Sequence, residues 1–433
     1  SDLTFFVALA SRSMRALTRE LMRQSGRCAA KPARSLAYLG KLRHFSEARS
    51  ASTLLSADEE TIRGAAETFA TEILAPKVQD MDRDSKMSPE IVQALFENGL
   101  MGIEVPEDLG GVGMGFTASC LAIEELARVD PAVAALVDIH NTLNVTAFKR
   151  YASKAQQEQY LAAMATDTVS SFCLSEPGSG SDAFALTTRV VKDGDDWILD
   201  GSKSWISNSM EAGVFIVFAT VDPAKGHRGI TAFVLDRDTP GLSIGKKEDK
   251  LGIRASSTCE VILEGCRVPS SAVLGEVGKG YKIAIELLNE GRIGIGAQMV
   301  GLARGAFDYA MRYMVSRKQF GQRVADFQGV QFQYARAAME IEAARVLVYN
   351  AARLKESGEP FLNEACFAKL KASEVAQSVS SQCIDWLGGV GYTKEFLAEK
   401  YYRDAKIGTI YEGTSNIQLQ TIAKSIRQLY PDE

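Results

Sequence analysis

Between about residues 57 and 168 the apolar positions recur every three to four residues, the spacing of helices that turn one stripe toward a core. The stretch SADEETIRGAAETFATEILAPKVQDMD opens at Ser56, with Glu59 three residues on. That pair can cap a helix start reciprocally. SPEIVQALFENGLMGI repeats the start signal and ends on glycine. PEDLGGVGMGF (Pro106 to Phe116) is a glycine-rich break; its G-x-G is incomplete and its flanks are helical, so it reads as a loop and not as a dinucleotide-binding turn. From about Ser170 to Val277 the period changes to two. Asp193-Gly194 and Asp200-Gly201 stand between alternating apolar residues as hairpin signals, and a compact β domain is predicted. From about Tyr281 to the end long helical periodicity returns, as in a helix bundle. The expected class is α+β, with a helical unit over 54–169, a β unit over 170–280 and a helical unit over 281–433.

Composition narrows the class. The chain has 433 residues, 46% of them hydrophobic, enough for a sizeable core divided among several units. Charged residues are 24% and the net charge is -5, which argues against a nucleic-acid binder and against disorder. No run of about 18 apolar residues suggests a membrane span. The cysteines (28, 120, 173, 259, 266, 366 and 383) are scattered and odd in number, without a C-x-x-C, so reduced thiols are expected in place of disulfides or zinc. Histidines at 44, 140 and 227 are thin material for a metal site or a Ser-His-Asp triad. Residues 1–45 hold seven Arg and two Lys against one Asp and one Glu, with Arg15, Arg19, Arg23 and Arg27 striping one helical face. This reads as a mitochondrial transit peptide, with RHFSEA (Arg43 to Ala48) resembling a processing site after Phe45; a basic tail is the plain alternative.

Four stretches offer chemistry. FCLSEPGSGSDAFALTTRV (Phe172 to Val190) presents hydroxyls and backbone N–H groups in a tight turn, suited to a ring edge or a phosphate, or to nothing beyond turning. KSWISN puts Trp205 beside Ser207 in a strand, an aromatic face that suits a flat heterocycle, although a core Trp is commoner. DWLGGVGYTKEFLAEKYYRDAKIG (Asp385 to Gly408) lets backbone approach something at Gly388, Gly389 and Gly391, or merely caps a helix. LLNEGRIGIGAQMVGLARG (Leu287 to Gly305) is helical in pattern yet holds five glycines, each costing about 1 kcal/mol in a helix interior. Close packing accounts for all of them except Gly291.

Taken together these residues resemble the acyl-CoA dehydrogenase family. Cys173-Leu174-Ser175-Glu176, Gly180-Ser181-Asp182 and Ala185 match its first signature. Asp385, Gly388, Gly389, Gly391, Tyr392, Glu395, Lys400 and Asp404 match its second. KLGIRASS (Lys250 to Ser257), RKQFGQ (Arg317 to Gln322) and IYEGTSN extend the resemblance over about residues 54 to 428. It implies an N-terminal helical domain, a middle β-barrel domain and a C-terminal four-helix bundle, with FAD as cofactor. It places Phe172, Cys173, Leu174, Ser175 and Ser181 at the flavin, with Trp205, Ile206 and Ser207 along its ring. Arg317 and Gln328 fall where a neighbouring subunit reaches the FAD. Asp385, Gly388, Gly389, Thr414 and Asn416 fall on the rest of the dinucleotide. Ser181, Tyr281, Asn289, Glu290, Gly291 and Arg292 fall along the acyl-CoA path.

Glu412, in the loop GTIYEGTSN, falls where many members keep the catalytic base. Some relatives carry the base on a helix, just before an arginine; that place is Gly291, before Arg292, and glycine has no acid to offer. Glu290 is one residue off, about 100° around the helix. The family's donors to the thioester oxygen are the backbone N–H of the glutamate and a flavin ribityl hydroxyl. LNEGRIGIGAQM and GTIYEGTSNIQLQTIAK look most like short/branched-chain members, implying 2-methylbutanoyl-CoA, isobutanoyl-CoA or butanoyl-CoA as substrate, with Gly291 leaving room for a 2-methyl branch. His227 stands where such relatives have an aromatic hydroxyl near the CoA. The resemblance also takes in 2-methyl branched-chain enoyl-CoA reductases, which run the same groups in reverse on an enoyl-CoA. A glutaryl-type decarboxylating member needs a cation for the distal carboxylate, which the sequence does not locate. An acyl-CoA oxidase would be longer, and a non-catalytic assembly factor would not need Glu412. Implied partners are an electron-transferring flavoprotein and the other subunits of a homotetramer, in the mitochondrial matrix.

Overall fold

The computed structural model describes residues 54–430. The transit-peptide expectation over 1–45 lies outside them. The first helix, α1 (Ala57–Thr68), starts as the sequence signals: the Ser56 N–H donates to Glu59 Oε2 at 2.8 Å and the Glu59 N–H to Ser56 Oγ at 3.2 Å. Beyond that start the helical turns are not uniform. The backbone widens to π turns over Phe69–Leu74 and tightens over Ala75–Lys77 before α2 (Val78–Asp84). Pro76 is the physical cause, since it has no N–H for the preceding turn and its ring crowds it. Helices α3 (Pro89–Glu97), α4 (Phe116–Ala127), α5 (Pro131–Asp138), α6 (Thr146–Tyr151) and α7 (Lys154–Thr166) complete the first helical stretch.

The strands are β1 (Val169–Cys173), β2 (Arg189–Asp193), β3 (Asp196–Ser207), β4 (Ala212–Thr220), β5 (Ile230–Asp236), β6 (Leu242–Lys247), β7 (Thr258–Pro269) and β8 (Val273–Leu274). They pair in the order β6-β7-β3-β2-β4-β5-β8, with β1 parallel to β4. Trp197, Leu199, Phe215, Val217, Phe233, Val261 and Leu263, drawn from both halves of that path, share one core, so the sheet folds over on itself as a partly open barrel. Asp193-Gly194 is the β2–β3 hairpin turn, with Gly194 at φ +63°. Asp200-Gly201 is not a hairpin. It lies inside β3 at a register shift, where Asp200 Oδ1 accepts the Gly265 N–H at 2.7 Å. The glycine answers a close approach, because a Cβ there would fall 2.7 Å from Thr188 Oγ1.

Helix α8 (Gly280–Ser316) absorbs all five glycines without breaking. Added methyl groups at Gly301 and Gly305 would overlap the Glu124 and Arg128 carbonyl oxygens, so these two glycines let α8 lie directly on α4 and the turn after it. A two-stranded hairpin, β9 (Lys318–Gln319) and β10 (Gln322–Arg323), leads to α9 (Gln328–Glu356), then α10 (Leu362–Leu387), α11 (Ala398–Ala405) and α12 (Ser415–Gln428). The bundle is therefore three long helices with α12 as a short fourth, packed on α10.

One buried ion cluster ties the three parts together. Lys400 Nζ lies 3.0 Å from Asp130 Oδ1 and 2.6 Å from Asp404 Oδ2, all three residues being buried. Asp130 also caps α5, accepting the Ala132 N–H at 2.9 Å, while Asp404 Oδ1 accepts the Ile253 N–H at 2.5 Å. That last bond holds Ile253, from KLGIRASS, at φ +41°, a conformation β-branched residues avoid. Lys400→Met should lower stability to chemical unfolding by about 3–5 kcal/mol, because it strands two buried carboxylates. Unfolding followed by tryptophan fluorescence measures it.

Candidate active site

The loop before α12 is built from two consecutive left-handed residues. Glu412 has φ +50° and Gly413 φ +84°, after which Thr414 caps α12 by accepting the Ile417 N–H at 3.3 Å. Glycine takes such a conformation freely, whereas for glutamate it costs of order 1 kcal/mol or more. Side chains hold the turn. Gln418 Nε2 donates to the Glu412 carbonyl at 3.1 Å and to the Gly413 carbonyl at 2.9 Å. Lys369 Nζ donates to the Gly413 carbonyl at 2.7 Å. The Tyr411 hydroxyl donates to Gln298 Oε1, and Gln298 Nε2 donates to the Pro131 carbonyl at 2.6 Å.

This turn aims the Glu412 side chain at α8. Its Oε2 is out of solvent and has no hydrogen-bond partner, although the residue as a whole is half-buried. A Cβ built on Gly291 would lie 3.0 Å from that oxygen and 2.9 Å from Leu143 Cδ2. The helix position and the loop position therefore address one point in space, and glycine at 291 is what gives the carboxylate room. Arg292 Nη1 donates to Asn289 Oδ1 at 3.0 Å and contacts Cys366 Sγ at 3.3 Å. Burial pushes the Glu412 carboxyl up to about 7, against the pull of the Lys369 and Arg292 charges. One turn along α8, Gly294 faces the carboxylate of Asp138, which is buried and accepts from Thr142 Oγ1 at 2.8 Å. Burial raises Asp138 well above the carboxylate range, the Thr142 hydroxyl pulls the other way, and the nearby Glu412 charge raises it further.

The second arm lies at the end of β1. Phe172 packs on Phe218 with ring centroids 4.9 Å apart. Cys173 and Leu174 are buried, the thiol pushed up to about 12 by burial, so these two residues can offer a ligand only backbone. The Ser175 carbonyl accepts the Ser204 N–H at 2.9 Å, and Ser171 Oγ donates to the Ser207 carbonyl at 2.8 Å, which docks this stretch on β3. Ile206 is buried. Trp205 is the reverse of a core tryptophan: it stands at a register shift with φ +62° and is 63% exposed. A strained, exposed indole beside serine hydroxyls is a ready face for a planar ring. Beneath it, buried Lys203 pairs with Glu176 at 2.6 Å. Glu176 also accepts the Thr187 and Thr188 N–H groups at 2.6 and 3.0 Å, and together these contacts fix the turn, the carboxyl held down at about 2.

The remaining expected residues divide. Ser181 is exposed on the same turn. Tyr281 starts α8 in a row of rings, 4.3 Å from Phe184 and 4.6 Å from His227. Glu290 has a buried carboxylate that faces the charges of Arg150 and Lys355, the latter at 3.3 Å. Arg317, Gln328, Asp385, Gly388 and Gly389 are exposed or half-buried, and no side-chain hydrogen bond among the described residues links them to either arm. Side chains added at Gly388 or Gly389 would meet nothing within 4 Å, so these glycines leave the backbone open to something outside this chain's own packing. Asn416 is exposed on the first turn of α12. Sequence reasoning missed Lys369, Gln418 and Asp138. Lys369 had a signal: it interrupts the apolar face formed by Ala365, Ala368, Ala372 and Ala376. His140 is a satisfied core histidine, its Nε2 2.9 Å from the Met164 carbonyl.

Comparison with known proteins gives the class. Models of the acyl-CoA dehydrogenase N-terminal, middle and C-terminal domains match residues 56–168, 171–266 and 278–427. The chain belongs to the acyl-CoA dehydrogenase family. It is 56% identical over 366 residues to the mitochondrial short/branched chain specific acyl-CoA dehydrogenase of Rattus norvegicus, covering 84% of this chain and 85% of that one. Among solved structures, butyryl-CoA dehydrogenase from Megasphaera elsdenii superposes with a TM-score of 0.85 at 38% identity, covering 86% of this chain and 99% of that one. A glutaryl-CoA dehydrogenase from Mycobacterium smegmatis, solved in complex with FADH2, gives 0.82 at 29% identity, covering 88% and 97%. The protein is an FAD-dependent oxidoreductase acting on acyl-CoA thioesters.

A carboxyl whose folded value is about 7 and whose ordinary value is 4.5 holds its proton longer in the folded state. Glu412's own contribution to stability should therefore fall as pH rises from about 4.5 to about 7 and level off above, opposed in that window by His140, which burial lowers to about 4. Glu412→Gln should remove that loss, so the difference between wild-type and variant unfolding midpoints should change across this window and stay constant above it.

Proposed function

We propose that the protein oxidises short and 2-methyl-branched acyl-CoA thioesters to the α,β-enoyl-CoA, with Glu412 as the base for the α-proton. The observation that carries this reading is Glu412 Oε2, out of solvent and without a hydrogen-bond partner, aimed at Gly291. An α-proton of a thioester is a very weak acid. The base must be a carboxylate without water or hydrogen bonds to weaken it, ionised near neutral pH. The Glu412 N–H has no hydrogen-bond partner among the described residues, so it is free to meet negative charge developing on the thioester oxygen. Arg292, tied to Asn289 and Cys366, keeps a positive charge beside the base. Gly291 removes bulk where a 2-methyl branch would lie. Bound FAD supplies the acceptor for the hydride that leaves the β-carbon.

Phe172 to Ser175, Ser181 and Trp205 to Ser207 suit the flavin end of that cofactor, the exposed indole lying along the ring. Thr414 and Asn416 suit its polar chain. Arg317 and Gln328, both exposed, are assigned to the FAD of a neighbouring subunit in a homotetramer, and Asp385, Gly388 and Gly389 to the rest of the dinucleotide, which the empty space at the glycines supports. Ser181, Tyr281, Asn289, Gly291 and Arg292 are assigned to the acyl-CoA path. Electrons pass to an electron-transferring flavoprotein, and the working compartment is the mitochondrial matrix, in keeping with the mitochondrial relative and the basic N-terminal stretch. The same groups serve the reverse reaction on a 2-methyl enoyl-CoA, by microscopic reversibility.

Anaerobic addition of 2-methylbutanoyl-CoA should bleach the flavin band rapidly. Glu412→Gln should keep FAD and acyl-CoA binding and lose about 10²–10⁴-fold in bleaching rate. Slow bleaching together with fast reoxidation of the reduced enzyme by tigloyl-CoA would reverse the assigned direction. Near-normal bleaching in Glu412→Gln would remove Glu412 as the base.

A further inference from the structure

The groups facing Glu412 come from four places: Lys369 on α10, Arg292 on α8, Asp138 on α5 and Tyr411 in the turn itself. Arg292 is tied to Asn289 and Cys366, Tyr411 to Gln298, and Asp138 to Thr142. Lys369 alone among them grips the turn that carries the base. It is fully buried on the apolar face of α10, where an ammonium is costly to keep. Its hydrogen bond runs to a carbonyl, that of Gly413, at 2.7 Å, one residue beyond the base.

We propose that Lys369 is a positioning residue for Glu412: its ammonium holds the left-handed turn through the Gly413 carbonyl, and its charge lets the adjacent carboxylate ionise in a dry pocket. The proposal rests on the reading of Glu412 as the base. Two consecutive left-handed residues are a poor conformation unless the surroundings over-determine them. Here Gln418 and Lys369 together satisfy both carbonyls of the turn, and Lys369 is the charged member of the clamp. Burial lowers Lys369 to about 8, opposed first by the Glu412 charge, while Arg292 adds to the lowering and Cys366 opposes it. The lysine and the glutamate therefore favour each other's charged forms: with Lys369 charged, Glu412 loses its proton at lower pH than it would alone.

The test uses the full FAD-loaded protein and two neutral variants. Lys369→Met removes both the donor and the charge. Lys369→Gln keeps a donor for Gly413 and removes only the charge. The protonated-carboxyl infrared band that Glu412→Gln abolishes is followed against pH in each, beside the bleaching rate and KM. The expected result is a midpoint raised by about one unit or more in both variants. The plateau bleaching rate should fall at least about tenfold in Lys369→Met and less in Lys369→Gln, with KM little changed. If Lys369→Met does not retain FAD, the Lys369→Gln midpoint decides. An unshifted midpoint in a variant that holds FAD overturns the proposal and leaves Lys369 a packing residue. Near-normal bleaching in Glu412→Gln overturns the base assignment instead, and is recognised separately because the band midpoints are read in the two Lys369 variants, where Glu412 is intact.

Discussion

The site depends on keeping one carboxylate oxygen, Glu412 Oε2, out of water. Water would solvate the ionised Glu412 and return its carboxyl to the ordinary range, so the fold must exclude water without replacing it by hydrogen bonds to the oxygens. The arrangement meets this by bonding the backbone in place of the acid. Gln418 and Lys369 take the carbonyls of the turn, Tyr411 is tied off to Gln298, and Oε2 is left unpartnered against Gly291. Positive charge stands near but off the carboxylate, enough to moderate its rise and too indirect to quench it. An acid bonded directly to Lys369 or Arg292 would be a weaker base.

The rest of the architecture can be ordered around that constraint. Helix α8 must be smooth where the acid lies on it and close to its neighbours elsewhere, and its glycines serve both ends: Gly291 for the carboxylate, Gly301 and Gly305 for contact with the Glu124 and Arg128 carbonyls. The Lys400 cluster ties α5, the Ile253 loop and α11 into one body, and α5 carries Asp138 to the same face of α8. On the sheet side the Glu176–Lys203 pair fixes the turn after β1 and leaves the Trp205 ring outward. Strain appears at Trp205 and at Glu412, and at Glu412 the turn is held by bonds from Gln418 and Lys369.

Much of this was legible in the chain. The Ser56–Glu59 cap and the Asp193-Gly194 turn are local effects, and local effects survive translation from sequence to structure. Four of the five glycines of α8 read as packing, and Gly291 stood apart from them. Glu412 could be singled out because Gly291 removed its competitor. What failed was non-local or contrary to local preference. Asp200-Gly201 carries hairpin chemistry, yet Thr188 and Gly265 across the sheet use it as a bulge. The pairing of Glu290 with Arg150 and Lys355, from distant helices, is likewise invisible in the local sequence. Lys369 was hidden because its partner is a carbonyl 44 residues on.

The most direct measurement is a crystal structure of the FAD-loaded Glu412→Gln variant with bound 2-methylbutanoyl-CoA. The account predicts the α-carbon over Gly291 with the substituted amide side chain about 3–3.5 Å from it, and the thioester oxygen on the backbone N–H of that same position. An α-carbon held away from this side chain, with another carboxylate within reach of its proton, would contradict it.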